Sequence, residues 1–115
     1  MKSKSVLTLC TLGLTLSGAA LGSSVTSAAI AETAIYRPYG NTVFIRLNLA
    51  PSGIPSCSTN GYWHYTLSLD GLASKEIYAM LMSAQASGKQ IAVQGTGLCS
   101  EFSGVESMQG INIVG

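Results

Sequence analysis

The chain has 115 residues, with six Lys and Arg, five Asp and Glu, one His and a formal net charge of +1; 10% of it is charged and 47% hydrophobic. Such a length bounds one small domain. A near-neutral balance without a basic cluster excludes nucleic acid as a partner, because phosphate binding needs clustered Lys and Arg.

Lys2 and Lys4 make a short basic start, Val6–Gly22 is an apolar run without charge, and the small residues of Ser23–Ala31 follow. This is the order of a secretory signal peptide. The alternative, a membrane anchor, fits less well, because the apolar run is short for a span and its tail is small-residue rich. Ala29-Ile30-Ala31 fits the small-x-small cleavage rule best, with bonds near Ala20 or Ala28 as alternatives. The expected organisation is therefore a cleaved leader over 1–31 and one domain over 32–115, secreted or periplasmic, with no membrane contact after processing. Cys10 follows Leu9 where a lipoprotein signal wants a small residue, so it goes with the leader. Removing 31 of 115 residues leaves 84, carrying four basic and five acidic side chains. So sparsely charged a surface loses little on burial, which suits contact with another subunit.

Thr33–Leu49 predicts two strand segments around a Gly40-Asn41 turn. In the second, Val43, Ile45, Leu47 and Leu49 alternate with Phe44, Arg46 and Asn48, the period of a half-buried strand. Ala50–Gly61, with two prolines and an Asn-Gly pair, predicts a loop. Tyr62–Leu69 predicts the third strand, its Trp63, Tyr65, Leu67 and Leu69 inward and its Tyr62 and His64 outward. Asp70–Gly88 predicts the one helix. Ser74 suits its N-cap, Gly88 a left-handed stop, and Ile77, Met80, Leu81 and Ala84 an inner stripe. Tyr78 and Met82 form an apolar pair off that stripe, for the core periphery or for a neighbouring subunit. Lys89–Gly95 and Met108–Val114 predict the last two strands, joined by a loop that contains Glu101 and Glu106.

Losing the leader leaves Cys57 and Cys99. Two thiols in an exported domain of this size predict a disulfide, worth about 4 kcal/mol by the chain-entropy estimate. A metal site would want more ligands than His64 alone supplies, and a catalytic thiol would want an orienting group behind that histidine. Neither a metal nor a cofactor is expected. Gly95-Thr96-Gly97 lacks the Gly-Lys-Ser/Thr of a phosphate loop and the third glycine of a dinucleotide site, so it predicts a sharp turn.

The order β-β-β-α-β-β fits a five-stranded OB-fold barrel, and equally an open sheet with a helix on one face. The helix end Ala86-Ser87-Gly88-Lys89, the strand Gln90–Gly97, Cys99, and the pair Gly104 and Glu106 before the last strand carry a resemblance. So does the hairpin Ile35–Leu47. Together they are similar to small exported bacterial proteins related to the B subunits of subtilase cytotoxin and typhoid toxin, the AB5 type. The resemblance implies an OB barrel, assembly into a pentameric homo-oligomer, a sialylated host glycan as ligand, and an exported catalytic subunit as partner.

From the residues themselves, Tyr36, Phe44, Arg46, Asn48, Tyr62 and His64 make the candidate glycan surface, since sugars are held by aromatic faces plus hydrogen-bonding side chains. The competing reading is that these aromatics only cover sheet or interface area. No catalytic residue is expected. Glu101 and Glu106 on one loop read as solvated rather than as a glycosidase pair, and a serine triad would lack a buried acid behind His64. The expected function is thus a non-enzymatic exported binding module. The alternative is a structural or envelope-associated interaction protein without a sugar ligand.

Overall fold

The computed structural model describes residues 22–115. Most of the expected leader, with Cys10, lies outside the described residues. Among the described residues the chain forms six strand segments and one helix: β1 Ser24–Ala28, β2 Ile30–Ile35, β3 Thr42–Leu47, β4 Tyr65–Ser68, α1 Ser74–Ser87, β5 Gln90–Gly95 and β6 Glu106–Val114. A single turn of 3-10 helix, Arg37–Tyr39, separates β2 from β3. The sheet runs in the order β1-β5-β6-β4-β3-β2.

The two ends of that order, β1 and β2, are consecutive in sequence and separated by Ala29 alone. They are two arms of one long bent strand, so the sheet curls on itself into an OB-like barrel wall. Counted that way the strands number five, as expected. The bend is local: the pairing register shifts between Val25 and Ala28 on one arm and between Ile30 and Glu32 on the other. Such irregularities turn a strand through a barrel corner. Asn48 holds the corner, its backbone N–H donating to Ala29 O at 3.0 Å and its Oδ1 accepting Ala29 N–H at 3.0 Å. All neighbouring pairs are antiparallel except β4 with β6, where Tyr65 pairs with Glu106 and Thr66 with Ser107. A parallel pair needs a long crossover, and α1 lies within it.

The folded domain thus begins upstream of the expected boundary at Glu32. Val25 and Ala28 are buried in the core, and Ser23 is 1% exposed. The reason is chemical: the small residues that mark a cleavage region also suit a tight barrel seam.

The core lies between the inner face of the sheet and α1. Val43, Ile45 and Leu47 point inward as their alternation predicts, beside Tyr65 and Leu67. Leu49 falls beyond β3 and is exposed. On α1 the buried positions are Ser74, Leu81 and Ala84. Ile77, Tyr78 and Met82 pack against the core, whereas Met80 faces outward. The inner arc is therefore centred on Leu81, one position round from the expected stripe, and it takes in Tyr78 and Met82. Ala73, not Ser74, is the N-cap, in the left-handed region at φ 58° and with no capping side chain. Gly88 ends the helix at φ 73° as predicted.

Cys57 and Cys99 are joined by a disulfide, their Cα atoms 6.1 Å apart. The bridge ties the 48–64 loop to the 96–105 loop.

Candidate binding site

Those two loops build the most distinctive surface. Asn60 N–H and Thr59 N–H both donate to Gly104 O, at 2.8 and 3.0 Å. Gly104 sits at φ 91°, where a Cβ would stand 3.2 Å from Thr59 Oγ1, so the close approach requires glycine. Asn60 then turns the chain, its Oδ1 accepting the N–H groups of Tyr62 and Trp63 at 2.8 and 2.9 Å. This turn delays β4 until Tyr65 and presents Trp63 outside the core.

Trp63 joins an aromatic cluster on the outer face of β3. Phe44, 2% exposed, is its floor. Phe102 lies 5.0 Å from Phe44, Trp63 5.6 Å, Tyr39 5.8 Å and Tyr36 6.1 Å between ring centroids. Most of these pairs are tilted or edge-on, the arrangement ring quadrupoles favour. Tyr36, Tyr39, Phe44, Asn60, Trp63 and Phe102 enclose a shallow pocket of about 260 Å³. That is below the roughly 300 Å³ at which drug-sized cavities begin, so it suits a single ring or side chain.

Beside the pocket lies a polar cluster. Glu32 Oε1 accepts from Arg46 at 3.1 Å through Nη2 and 3.3 Å through Nε, and from the Tyr62 hydroxyl. The Arg46 guanidinium carbon stands 4.6 Å from the Tyr62 ring centroid, a cation–π geometry. Tyr62 in turn packs edge-on against Trp63 at 5.0 Å. The Tyr62 and Arg46 hydrogen bonds hold the Glu32 carboxyl below its usual range. The same carboxylate raises Arg46 and keeps Tyr62 protonated.

The six expected residues therefore divide. Tyr36 and Phe44 are in the pocket, and Arg46 and Tyr62 are in the adjoining polar cluster. Asn48 is the clamp on Ala29, on the barrel corner. His64 Nδ1 accepts Leu47 N–H at 3.0 Å, while the His64 backbone N–H donates to Ile45 O at 3.0 Å. Burial, with Arg46 nearby, pushes the His64 imidazole below its usual pKa. It is a backbone-pairing residue that extends the β3–β4 ladder. Tyr39, Asn60, Trp63 and Phe102 were not anticipated. The alternation of Leu67 and Leu69, extended past the true strand start at Tyr65, places Trp63 inward, whereas the Asn60 turn holds it outside the core. The other three sit in turns and loops, where no period marks a shared face.

Glu106 departs most from expectation. It opens β6 and is 1% exposed, rather than solvated beside Glu101. Its Oε2 accepts Gly97 N–H at 2.8 Å and Ser23 N–H at 3.0 Å, and its Oε1 accepts the Ser23 hydroxyl at 2.5 Å. Ser23 Oγ lies 2.6 Å from Tyr65 OH. Because the serine proton goes to the carboxylate, the tyrosine donates in that pair. Burial, opposed by the Ser23 hydrogen bond and helped by the Glu106 charge, pushes the Tyr65 hydroxyl up to about 12. Room for the carboxylate comes from Gly95, where a Cβ would meet Oε2 at 2.1 Å.

Among the described residues, no group of three or more His, Cys, Asp or Glu is placed to hold a metal ion, and no helix is long and apolar enough to cross a membrane. No protein-family model, curated protein or solved structure matches the chain. The fold and the disulfide thus define its class: a small, mainly β, OB-like domain stapled by one covalent bridge.

Proposed function

We propose that the domain is an exported, non-enzymatic binding module that takes a glycan, one sugar ring seated in the aromatic pocket. The observation that supports this most is the pairing of that pocket with the Glu32–Arg46–Tyr62 cluster at its edge. Tyr36, Tyr39 and Trp63 offer flat apolar faces for the C–H side of a ring. The Tyr36 and Tyr39 hydroxyls, the Asn60 amide and the Arg46 guanidinium offer donors and acceptors for its hydroxyl side. An acidic sugar, such as the sialylated ligand that the AB5 resemblance implies, would take Arg46 in competition with Glu32. A ring of five copies, with an exported catalytic partner, is the assembly that the same resemblance suggests.

A glycan array on the oxidised protein tests the reading. Binding of sialylated or other acidic glycans, lost in Trp63→Ala and Tyr39→Ala but kept in a Lys75→Ala control, is the expected result. No binding across the array, or binding indifferent to Trp63 and Tyr39, removes the glycan role. The same surface then becomes a protein contact in a structural or envelope-associated protein. Light scattering on the same sample tests the ring, which a clean monomer at micromolar concentration rules out.

A further inference from the structure

Glu106 is a fully buried carboxylate, and among the described residues no Lys, Arg or His side chain is paired with it. Buried carboxylates without a counter-charge are costly, even when hydrogen-bonded. One of its three donors is special. Ser23 N–H, 3.0 Å from Oε2, lies immediately before β1, where the apolar run of the sequence ends. Ala20-Leu21-Gly22 immediately before it satisfies the small-x-small rule. The Ala31–Glu32 bond, by contrast, lies inside β2, and cutting there would strip β1 from β5 and take Val25 and Ala28 out of the core.

We propose that the export leader is cut between Gly22 and Ser23, and that the new α-ammonium of Ser23 is the counter-ion of Glu106. The inference rests on the export reading above. Hydrolysis by a leader-removing protease adds one water across the amide. Gly22 leaves as a carboxylate, and the Ser23 nitrogen departs as an amine that takes up a proton. The neutral N–H at Oε2 becomes a cation in the same place, with the Ser23 hydroxyl still on Oε1. The Ser23 carbonyl still accepts Gly95 N–H at 2.9 Å, so the terminus stays fixed on both sides. Processing at this bond would complete the barrel seam: the freed end is held by the charge that its release creates.

The full chain is expressed with its own leader in a bacterial host, and the exported protein is weighed intact and sequenced from its N-terminus. A mature chain starting at Ser23 is expected. A start at Leu21, Ala29 or Glu32 overturns the proposal while leaving export intact. An uncleaved chain, in the cytoplasm or in the membrane, overturns the export reading and the proposal with it. Reductive methylation at neutral pH gives a second readout. A free α-amine, near 8 in pKa against about 10.4 for lysine, normally reacts first. Here Ser23 should react after Lys75 and Lys89, and Glu106→Gln should reverse that order. If the Gln variant does not fold, one extra alanine placed ahead of Ser23 restores a neutral amide at that position. That chain should melt several degrees lower, and an unchanged melting temperature contradicts the ion pair.

Discussion

The barrel seam and the aromatic face each hold a glutamate, a tyrosine and a hydrogen-bond network, and they differ in what is left over. At the seam, Glu106 is buried and its oxygens are occupied by Ser23 and Gly97. On the face, Glu32 is exposed enough to exchange partners with water, and the rings around Phe44 enclose open space. Closed networks of the first kind fix a fold, because each donor loses its only partner if one group is removed. Open ones of the second kind contribute little to stability and keep capacity for a ligand.

The sharpest break of this contrast is deletion of Ser23–Ala31. Without β1 and the seam, the chain from Glu32 should show no cooperative unfolding transition in calorimetry. Next comes Glu106→Ala. It leaves the buried Ser23 nitrogen and the part-buried Gly97 N–H without their partner, at about 1–3 kcal/mol for the buried one and less for the other. A loss of about 3 kcal/mol in urea unfolding is expected, and a loss below about 1 kcal/mol would make the seam no tighter than the face. Replacing Cys57 and Cys99 together by alanine should cost about 2–4 kcal/mol and also weaken ligand binding, since the bridge ties the loops that carry Trp63 and Phe102. Trp63→Ala should invert that profile, lowering stability by no more than about 1.5 kcal/mol while binding falls at least about tenfold.

The smallest effect concerns pH. His64 is depressed in the folded state, so the unfolded chain binds the extra proton. Stability is full above the ordinary histidine value of about 6.5 and declines as pH falls below it. His64→Asn keeps an acceptor for Leu47 N–H and should flatten the slope between pH 7 and 5. The depressed Glu32 carboxyl adds a second decline below the ordinary carboxylate value of 4.5, which Glu32→Gln should remove.

How much of this was legible follows from which signals have a period. Val43, Ile45 and Leu47 announce their strand and its inner face because alternation is a direct record of a pleated wall. Gly88 announces its helix end because few other residues tolerate that conformation. The disulfide is legible by elimination among two cysteines. Trp63 was not, because the Asn60 turn interrupts the alternation two residues before the strand begins. Phe102 and Tyr39 were not, because residues brought together from separate loops leave no pattern in either. Glu106 was not, because what buries it is a glycine at position 95 and a serine 83 residues upstream. β1 was missed for a further reason: Ser24–Ala28 has the small residues of a cleavage region and only Val25 to mark it as wall.

The covalent bridge has a mechanical consequence. Stretched by its two ends, the oxidised domain cannot release the chain between Cys57 and Cys99, which are 42 positions apart and enclose β4, α1 and β5. At about 3.5 Å per residue, its fully extended length falls short of the reduced chain's by roughly 150 Å. A pulling force would therefore peel away only the two tails and leave an unextended loop between them.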